Sequence, residues 1–469
     1  MANKTISERE IVLAVLLEIT EKGGYSHLVL RDVLNKYRYL EKKERAFITR
    51  VTEGTLEHLI ELDYIIDQFS KTKTRKMKPV IRGILRMSVY QIKYMDSVPA
   101  HAVCNEAVKL AVKKGFSGLK GFVNGVLRSI VKGLDQISYP GENEPEKRLS
   151  VQYSIPEWLI RMWMETYSAE TLEKMLQAFQ EEAPITIRCN LQKTTPEELK
   201  AALESSGIKV EAHPYLDYAF CISGFDLLER LPGFQEGWFF VQDISSMLAG
   251  QVALGAAGKR ENDKAKEQFL ALDVCAAPGG KALHLAELLG ENGRVEARDL
   301  TEYKVGILEE NIARSGFSNV SAKQWDARIV DEAVKEKADL VLADLPCSGL
   351  GVLGRKPDLR YRMTRESACE LAALQREILS AAAEYVKPGG MLLYSTCTIH
   401  TAENEKNAEW FLETHPEFSW CNITQVLPQE LQTDVQQGGM LQLLPGIHNS
   451  DGFFLAKFIR KSRKETETE

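Results

Sequence analysis

Residues 269–281 read FLALDVCAAPGGK, the most informative stretch of the chain. Its first six residues form an apolar run that is typical of a strand buried on both faces of a parallel sheet. Gly279 and Gly280 then make a turn, and a helical pattern of apolar residues continues to Leu289. The stretch therefore predicts a strand, a tight turn and a helix. In a doubly wound sheet the first turn of this kind is where a ligand binds.

The same alternation continues toward the C-terminus. Repeated strand–helix–strand units predict a mostly parallel sheet with helices on both faces. We therefore assign residues 237–460 to an α/β, Rossmann-like domain. Its further strands are predicted at 294–298, 320–324, 338–343, 391–395 and 452–459, and its further helices at 302–315 and 365–386.

The N-terminal part of the chain has a different pattern. Apolar residues recur at helical spacing, without the alternation of a strand, so residues 1–138 are predicted to form an all-α domain. Residues 138–149 contain Pro140, Gly141 and Pro145, which is the composition of a linker. The helical segments are predicted at 11–19, 47–62, 80–90 and 103–112.

Residues 150–236 are predicted to form a helical segment followed by a small α+β domain. Residues 185–190 alternate between apolar and polar side chains, as a half-buried strand does, and residues 195–206 have helical spacing. Residues 209–211 and 219–222 are candidates for two further strands. The chain is therefore expected to be multidomain, with three parts of different fold.

The composition excludes several classes of protein. Of the 469 residues, 44% are hydrophobic and 27% are charged, which is ordinary for globular domains and too apolar for a disordered chain. No apolar run reaches the ~20 residues that a membrane helix needs, and no signal peptide is recognisable. The 8 cysteines lack Cys-x-x-Cys spacing, which argues against a zinc site and a disulfide framework. We expect a cytoplasmic protein with reduced thiols, no bound metal and no membrane partner.

Charge is divided unevenly along the chain. The formal net charge is −7, but residues 1–140 alone balance at +9 and the remainder balances at −16. An asymmetry of this kind indicates that the N-terminal part meets a polyanion and that the rest has another task. The basic run at 71–78, just before Pro79, agrees with an RNA partner, although such runs are usually solvated surface.

Small residues in the turn after the first strand let a ligand approach the backbone closely. The turn has neither the spacing of a P-loop nor that of Gly-x-Gly-x-x-Gly. Asp299 ends the next predicted strand, where a carboxylate accepts both hydroxyls of an adenosine ribose, and Asp326 follows the third strand, where it can take the adenine amine. A nucleoside ligand without a phosphate cradle favours S-adenosylmethionine over NAD or ATP. The predicted cofactor-binding residues are Cys275, Ala276, Ala277, Pro278, Gly279, Gly280, Lys281, Asp299, Asp326 and Asp344.

Two cysteines follow the ends of neighbouring predicted strands. Asp344 and Cys347 come directly after the strand at 338–343, and Cys397 comes directly after the strand at 391–395. In a parallel sheet both ends lie on the same edge, beside the first turn. A single cysteine is more often a small buried hydrophobe, but two thiols and a carboxylate at adjacent strand ends favour a functional site.

These motifs together closely resemble the NOL1/NOP2/Sun family of RNA cytosine-C5 methyltransferases. The matching stretches are DVCAAPGGK at 273–281, DLPCSG at 344–349, TC at 396–397, and LPG and DGFF between 444 and 454. The helical N-terminus is similar to the NusB RNA-binding domain, in the apolar run at 11–17, the basic stretch before Arg82 and NGVLR at 124–128. Thr398 and Leu345 stand where many family members have Ser and Ala, next to a cysteine and an aspartate that are kept.

The resemblance implies a fold, a cofactor and roles for the site residues. It implies a NusB-like domain, an RRM-like middle segment and a class I methyltransferase domain that uses S-adenosylmethionine. Cys397 is then the nucleophile that adds to C6 of cytosine, and Cys347 assists product release. Asp344 would hydrogen-bond the edge of the base, and Lys281 would also contact it.

The combination of domains implies a substrate. Family members with a NusB-like domain methylate a cytosine in 16S rRNA of the position-967 type, so we expect a monomer that binds 16S rRNA. The same chemistry on tRNA or at another rRNA site stays open, as does a non-catalytic RNA-binding adaptor; a nicotinamide oxidoreductase is disfavoured by the missing Gly-x-Gly-x-x-Gly. The side chains expected to hold phosphates around an extruded base are Arg355, Lys356, Arg360 and Arg362.

Overall fold

The computed structural model describes residues 6–181, 183–255 and 268–462. These residues fall into two compact units, one within Met1–Glu181 and Leu353–Arg362, the other within Glu182–Val352 and Met363–Glu469. Among the described residues, no helix combines the length and the apolar character needed to cross a membrane.

In the described residues, the helices are α1 (Glu8–Lys22), α2 (Ser26–Lys36), α3 (Lys42–Glu57), α4 (Leu59–Phe69), α5 (Pro79–Tyr94), α6 (Ala100–Lys113), α7 (Lys120–Gly133), α8 (Pro145–Tyr153), α9 (Glu157–Met164), α10 (Ala169–Ala178), α11 (Pro196–Ser205), α12 (Ile244–Leu254), α13 (Gly280–Leu289), α14 (Glu302–Ser315), α15 (Leu359–Arg362), α16 (Arg365–Ala383) and α17 (Glu405–Thr414). The strands are β1 (Ile185–Cys189), β2 (Lys209–Ala212), β3 (Ala219–Ser223), β4 (Phe239–Val241), β5 (Phe269–Asp273), β6 (Gly293–Asp299), β7 (Val320–Gln324), β8 (Ala338–Asp344), β9 (Val386–Thr396), β10 (Phe418–Trp420), β11 (Met440–Leu443) and β12 (Phe453–Arg460).

The first unit is helical, as predicted. Helix α5 is its centre, because it packs against α1, α3, α4, α6 and α7 and buries Ile81, Ile84 and Leu85 completely or almost so. Burial of such a stripe is the main stabilising contribution, at about 25 cal/mol for each Å² of apolar surface removed from water.

Two expectations for the first unit are wrong in detail. The apolar segment predicted at 47–62 is two helices, because the backbone at His58 leaves the helical conformation between α3 and α4. The stripe continues across the break since Leu56 and Leu59 both enter the same core. The linker predicted at 138–149 is partly helix, because Pro145 occupies the first turn of α8, where its missing N–H costs nothing.

The second unit contains, within the residues that the structure describes, a four-stranded and an eight-stranded sheet. The small sheet has the order β2-β3-β1-β4 and all its pairings are antiparallel. Strand β4 lies beyond Gly237, where the strand–helix alternation was expected to begin, yet it pairs with β1, with Arg188 opposite Phe240. Three residues are too few for periodicity to reveal which sheet they join.

The large sheet confirms the predicted α/β fold class. Its order is β10-β12-β9-β8-β5-β6-β7, and β11 pairs with β12. Strands β7, β6, β5, β8 and β9 run parallel, and β12 returns antiparallel to β9. The chain leaves β5 toward β6 on one side and returns to β8 on the other. The switch point of the sheet therefore lies at the carboxyl ends of β5 and β8, where ligands bind in open α/β sheets.

Glu61 on α4 is the polar centre of the first unit. Its buried carboxylate contacts Lys93 and Tyr94 on α5, accepts a hydrogen bond from the Tyr139 hydroxyl at 2.8 Å, and lies 3.3 Å from His58 Nδ1. Burial alone would raise the pKa of Glu61, but the close contact with His58 and the charge of Lys93 outweigh burial and lower it to about 2.

We expect the Glu61→Gln variant to lose about 3 kcal/mol of unfolding free energy at pH 7, because Lys93 then keeps a partly buried charge without its carboxylate partner. The pKa of Glu61 is lower in the folded state than in the unfolded chain. The difference in unfolding free energy between wild type and Glu61→Gln should therefore be largest above about pH 4.5 and should shrink as the pH falls toward 2. Urea unfolding at pH 7 and pH 4 measures it. The matched variant Glu170→Gln, which removes an exposed pair with Lys174, should leave stability unchanged; a Glu61→Gln protein as stable as wild type would contradict the account.

Candidate active site

The turn after β5 lies against the end of β6. The Ala276 N–H donates to the Arg298 carbonyl over 2.8 Å, and the Ala277 N–H donates to Asp299 Oδ2 over 3.0 Å. Gly279 has φ 113°, a left-handed conformation that favours glycine, and a Cβ there would lie 3.1 Å from Leu308. The predicted loop residues Cys275, Ala276, Ala277, Pro278, Gly279 and Gly280 thus form one tight turn that leads directly into α13.

Asp273 is buried at the end of β5. Its Oδ1 accepts the Cys275 N–H at 3.3 Å, whereas Oδ2 is buried with no hydrogen-bond partner among the described residues. Burial, and then the charge of Asp344, raise the pKa of Asp273 to about 8. A buried oxygen without a partner is rare in folded proteins, and it fits a bound ligand that brings hydrogen-bond donors or a positive charge.

Asp299 and Asp326 differ in their surroundings. Asp299 is buried at the end of β6, where it also accepts the Leu300 N–H at 2.8 Å and pairs with Lys304 at 3.0 Å. Asp326 is partly exposed, and Arg328 binds both of its oxygens, at 3.0 and 2.7 Å, which lowers the pKa of the Asp326 carboxyl. Asp299 therefore lies at the predicted turn, whereas the carboxylate of Asp326 pairs with the neighbouring Arg328.

Lys281 and Asp344 form an ion pair beside this turn. Lys281 Nζ lies 2.8 Å from Asp344 Oδ2 and donates to Ser246 Oγ over 3.0 Å. The Ser395 hydroxyl donates to Asp344 Oδ1 over 2.7 Å. Burial alone would lower the pKa of Lys281, but Asp344 outweighs burial and raises it, so the ammonium stays charged. Nζ also lies 5.1 Å from the centre of the Phe453 ring.

The two predicted cysteines meet at the same edge of the sheet. Their sulfur atoms are 3.3 Å apart, which is a hydrogen-bond distance and much longer than the ~2.05 Å of a disulfide. Strands β8 and β9 bring them together, since Asp344 pairs with Ser395 in register and each cysteine follows within three residues. The hydrogen bond between the two sulfurs and burial both raise the pKa of the Cys347 thiol well above its ordinary value.

Two glycines allow the Cys347 loop to lie on the start of β12. A Cβ on Gly351 would come within 2.0 Å of the Gly452 carbonyl oxygen, and the Gly452 N–H donates to the Gly351 carbonyl over 2.9 Å. The Gly351 N–H in turn donates to the Cys397 carbonyl over 3.1 Å. The backbone of all three segments is therefore fixed at the site.

Sequence reasoning missed a buried carboxylate behind the two thiols. Glu403 is fully buried and accepts from the Ser348 N–H at 2.9 Å, the Ser348 hydroxyl at 2.5 Å and Gln375 Nε2 at 3.0 Å. Its Oε1 also lies 3.1 Å from His400 Nδ1. The available signal was an acidic residue only six positions after Cys397, in a polar segment that follows a strand end.

The structure divides the four basic residues that were expected to hold phosphates. Arg360 is completely buried in the first unit and donates to the Tyr153 and Leu353 carbonyls, so its assignment as a phosphate ligand is wrong. Arg362 donates to the Gly23 carbonyl over 2.8 Å. Arg355 is exposed and Lys356 is partly exposed. Local sequence gave Arg360 no feature that distinguishes a buried arginine from a solvated one.

Comparison with known proteins assigns the chain to a protein family. Three family models match it: 16S rRNA methyltransferase RsmB/F over residues 262–459, the NusB family over 6–132, and the ferredoxin-like domain of RsmF/B-like methyltransferases over 155–225. The chain is 35% identical over 468 residues to "Probable ribosomal RNA small subunit methyltransferase B" of Bacillus subtilis strain 168, covering 98% of this chain and 100% of that protein. The chain belongs to the ribosomal RNA small subunit methyltransferase B (RsmB) family.

Further similarity to known proteins extends over nearly the full length of the chain. The "Ribosomal RNA small subunit methyltransferase B" of Serratia proteamaculans is 32% identical over 454 residues, covering 96% of this chain and 98% of that protein. Among solved structures, PH0851 is 28% identical and covers 98% of this chain and 99% of its own, with a TM-score of 0.79. The predicted family, with its NusB-like N-terminal domain and small middle domain, is confirmed.

We expect Asp273→Asn to raise the thermal midpoint of the cofactor-free RsmB-family protein by about 2–4 °C or more at pH 8. The carboxyl of an unfolded chain ionises near pH 3.9, but Asp273 in the folded state ionises near pH 8, so its contribution to stability falls as the pH rises between these values. Asparagine removes that loss, and the gain should vanish toward pH 4.

Thermal scans from pH 4 to pH 9 check this. Asp326→Asn is the matched control, because the pKa of Asp326 is shifted in the opposite direction, and it should show no gain. An Asp273→Asn midpoint equal to or below wild type across the range would contradict the assignment of a buried, largely protonated carboxyl.

Proposed function

We propose that this chain transfers a methyl group from S-adenosylmethionine to C5 of a cytosine in small-subunit rRNA, of the position-967 type, through a covalent bond between Cys397 and C6 of the base. The observation that carries the proposal is the pair of sulfur atoms, 3.3 Å apart, beside the Lys281–Asp344 ion pair. A nitrogen or oxygen target would need no thiol. Carbon C5 needs one, because it becomes a good nucleophile only after a thiolate adds to C6.

The turn between β5 and α13 is the proposed cofactor site. Asp273 Oδ2, buried and without a hydrogen-bond partner among the described residues, suits a cationic amino group. Asp299 at the end of β6 suits the ribose hydroxyls, and Asp326 would take the adenine amine by giving up part of its pairing with Arg328. When bound, S-adenosylmethionine supplies a methyl group on a positively charged sulfur.

Cys397 begins the proposed reaction. Its thiolate forms a bond to C6, the electron pair of the C5–C6 double bond shifts to form a C4–C5 double bond, and N3 takes a proton. C5 is then the nucleophilic carbon of an enamine and takes the methyl group, with S-adenosylhomocysteine as the leaving group. Lys281 would stabilise the thiolate by its positive charge, in keeping with the contribution of Cys397, smaller than that of Asp344, to the raised pKa of Lys281. Asp344 would hold the N3 and 4-amino edge of the base and favour its protonation as the thiolate adds.

Release of the product requires that the bond between Cys397 and C6 breaks. After methyl transfer C5 carries both a methyl group and a hydrogen, so a proton leaves C5, the C5–C6 double bond forms again and Cys397 departs as a thiolate. Cys347 is close enough to assist, since its sulfur lies 3.3 Å from that of Cys397. Addition to C6 needs only one thiol. The second thiol is explained if it assists release of the product.

The helical first unit is the proposed RNA-binding part. Its sequence belongs to the NusB family over residues 6–132, and residues 1–140 carry a balance of +9. Positive charge of this kind attracts the phosphate backbone but carries no base specificity. The target base must leave its stack to reach the thiols, so a loop or a splayed base in the RNA is the expected substrate.

The proposal predicts different outcomes for the two cysteines. With 16S rRNA and S-adenosylmethionine, Cys397→Ala should lose 5-methylcytosine formation by at least about a thousandfold, because the nucleophile is gone. Cys347→Ala should instead accumulate a covalent RNA–protein adduct, seen as a slow band on a denaturing gel. Bisulfite sequencing of 16S rRNA and of tRNA, offered side by side, locates the product, which is expected in 16S rRNA.

Cys369→Ala is the matched control, because Cys369 is exposed on α16 and should leave both readouts unchanged. Methylation by Cys397→Ala at the wild-type rate would overturn the mechanism. Product confined to tRNA would overturn the substrate, and binding of RNA without methylation by the wild-type protein would favour an adaptor.

A further inference from the structure

Glu403 joins the two loops that carry the thiols. It binds the Ser348 N–H and hydroxyl, next to Cys347 in the chain, and the Ser348 hydroxyl lies 2.8 Å from Thr398 Oγ1, next to Cys397. Gln375 completes the cage from α16, donating to Glu403 Oε2 and to the Pro346 carbonyl. A carboxylate that is fully buried needs several donors, and this one has them.

Two opposite charges lie close to the sulfur pair. Cys397 adds to the larger effect of Asp344 in raising the pKa of Lys281, and Glu403 accepts the N–H of Ser348, the residue that follows Cys347. Cys397 and burial contribute most to the raised pKa of Cys347, and the negative charge of Glu403 raises it further.

The other titratable groups near Glu403 belong to the same segment of chain and to β9. His400 Nδ1 lies 3.1 Å from Glu403, and the Tyr394 hydroxyl donates to the Glu403 carbonyl. Burial is the main reason that the pKa of Tyr394 lies well above its ordinary range, so this hydroxyl stays protonated. Burial also raises the pKa of Glu405. Of these groups, only Glu403 bonds to the residue that follows Cys347.

We propose that Glu403 is a positioning residue that keeps the proton shared by the two thiols on Cys347 and so leaves Cys397 as the thiolate. The inference rests on the proposed function, since it explains why these two thiols take different roles in it. A negative charge beside Cys347 disfavours a second negative charge there, and the positive charge of Lys281 favours one on Cys397.

The same arrangement returns the site to its starting state. Once Cys397 is bonded to C6 its sulfur is uncharged, so Cys347 can give its proton to solvent. The Cys347 thiolate then takes the proton from C5 as the Cys397–C6 bond breaks. The proton is again on Cys347 and the charge again on Cys397, and the proton lost to solvent balances the hydrogen that the methyl group replaced.

Glutamine fits at position 403 without breaking the network. Its oxygen can face the Ser348 N–H and Gln375, which are fixed donors. Its amide N–H groups can then face the Ser348 hydroxyl and His400 Nδ1, both of which can accept by rotation or by change of tautomer. Glu403→Gln thus removes the charge and keeps the hydrogen bonds.

The test is the pH dependence of iodoacetamide alkylation, followed at low conversion by mass spectrometry of the peptides that contain Cys347 and Cys397, in the full chain without RNA. In wild type Cys397 should react at the lower pH. In Glu403→Gln the midpoint for Cys347 should fall by about one pH unit or more and the two midpoints should converge. Glu405→Gln, two residues along the chain, is the matched control and should leave both midpoints in place. Glu403→Asp keeps the charge and should keep the wild-type order.

Wild type alone can overturn the proposal, if Cys347 reacts at the lower pH. Unchanged midpoints in a folded Glu403→Gln protein would also overturn it, and a merely structural role for Glu403 predicts that result. If Glu403→Gln does not fold, the proposal is tested by which of the two cysteines reacts at the lower pH in wild type and in Glu403→Asp. Because alkylation needs neither RNA nor methyl transfer, a failure of the proposed reaction leaves this readout intact and the two failures are distinguishable.

Discussion

The parallel pairing of β8 with β9 is the constraint on which the candidate site depends. Asp344 lies opposite Ser395, and the two chains then turn so that the thiols of Cys347 and Cys397 meet at 3.3 Å. A slip of one residue in this register would send every side chain of one strand to the other face. The apolar residues of β8 and β9, buried on both faces, hold the register, so the core of the sheet determines the geometry of the chemistry.

Electrostatics at this edge follow from burial. Removing an ammonium from water costs several kcal/mol, which a single partner recovers only with good geometry and further hydrogen bonds. Lys281 has such a partner in Asp344, and Ser246 and Ser395 complete the hydrogen bonds of the pair. The Lys281 ammonium is therefore held at this edge of the sheet, and Glu403 is held behind the thiols by Ser348. The proposed difference between the two thiols follows from these two neighbours.

The sequence predicts those parts of the fold that depend on short-range pattern. Helix α14 and strand β7 have the predicted bounds, and the turn at Gly279 lies at the end of β5 as expected. The motif residues were predicted as a set because parallel strands place their carboxyl ends together. The sequence does not predict strand β4, which joins the small sheet, since three residues carry no periodicity.

Short-range sequence pattern does not predict contacts between residues that are distant in the chain. Arg360 is buried because residues 353–362 pack within the first unit, although they are distant from it in sequence. Glu403 is a charged residue in a polar segment, which normally indicates solvent, and only the fold shows that Ser348 and Gln375 surround it. The burial of Arg360 and that of Glu403 have the same cause, since the environment of a charged side chain depends on residues far away in the sequence.

RNA that contains 5-fluorocytosine at the target position tests whether Cys397 bonds to C6 of the base. Fluorine at C5 cannot leave as a cation, so the bond between sulfur and C6 should persist after methyl transfer even in the wild-type protein. Mass spectrometry of the digested complex should then find the modified nucleotide on the peptide that contains Cys397. A methylated nucleotide on the Cys347 peptide, or full methyl transfer with no peptide attached, would contradict the account.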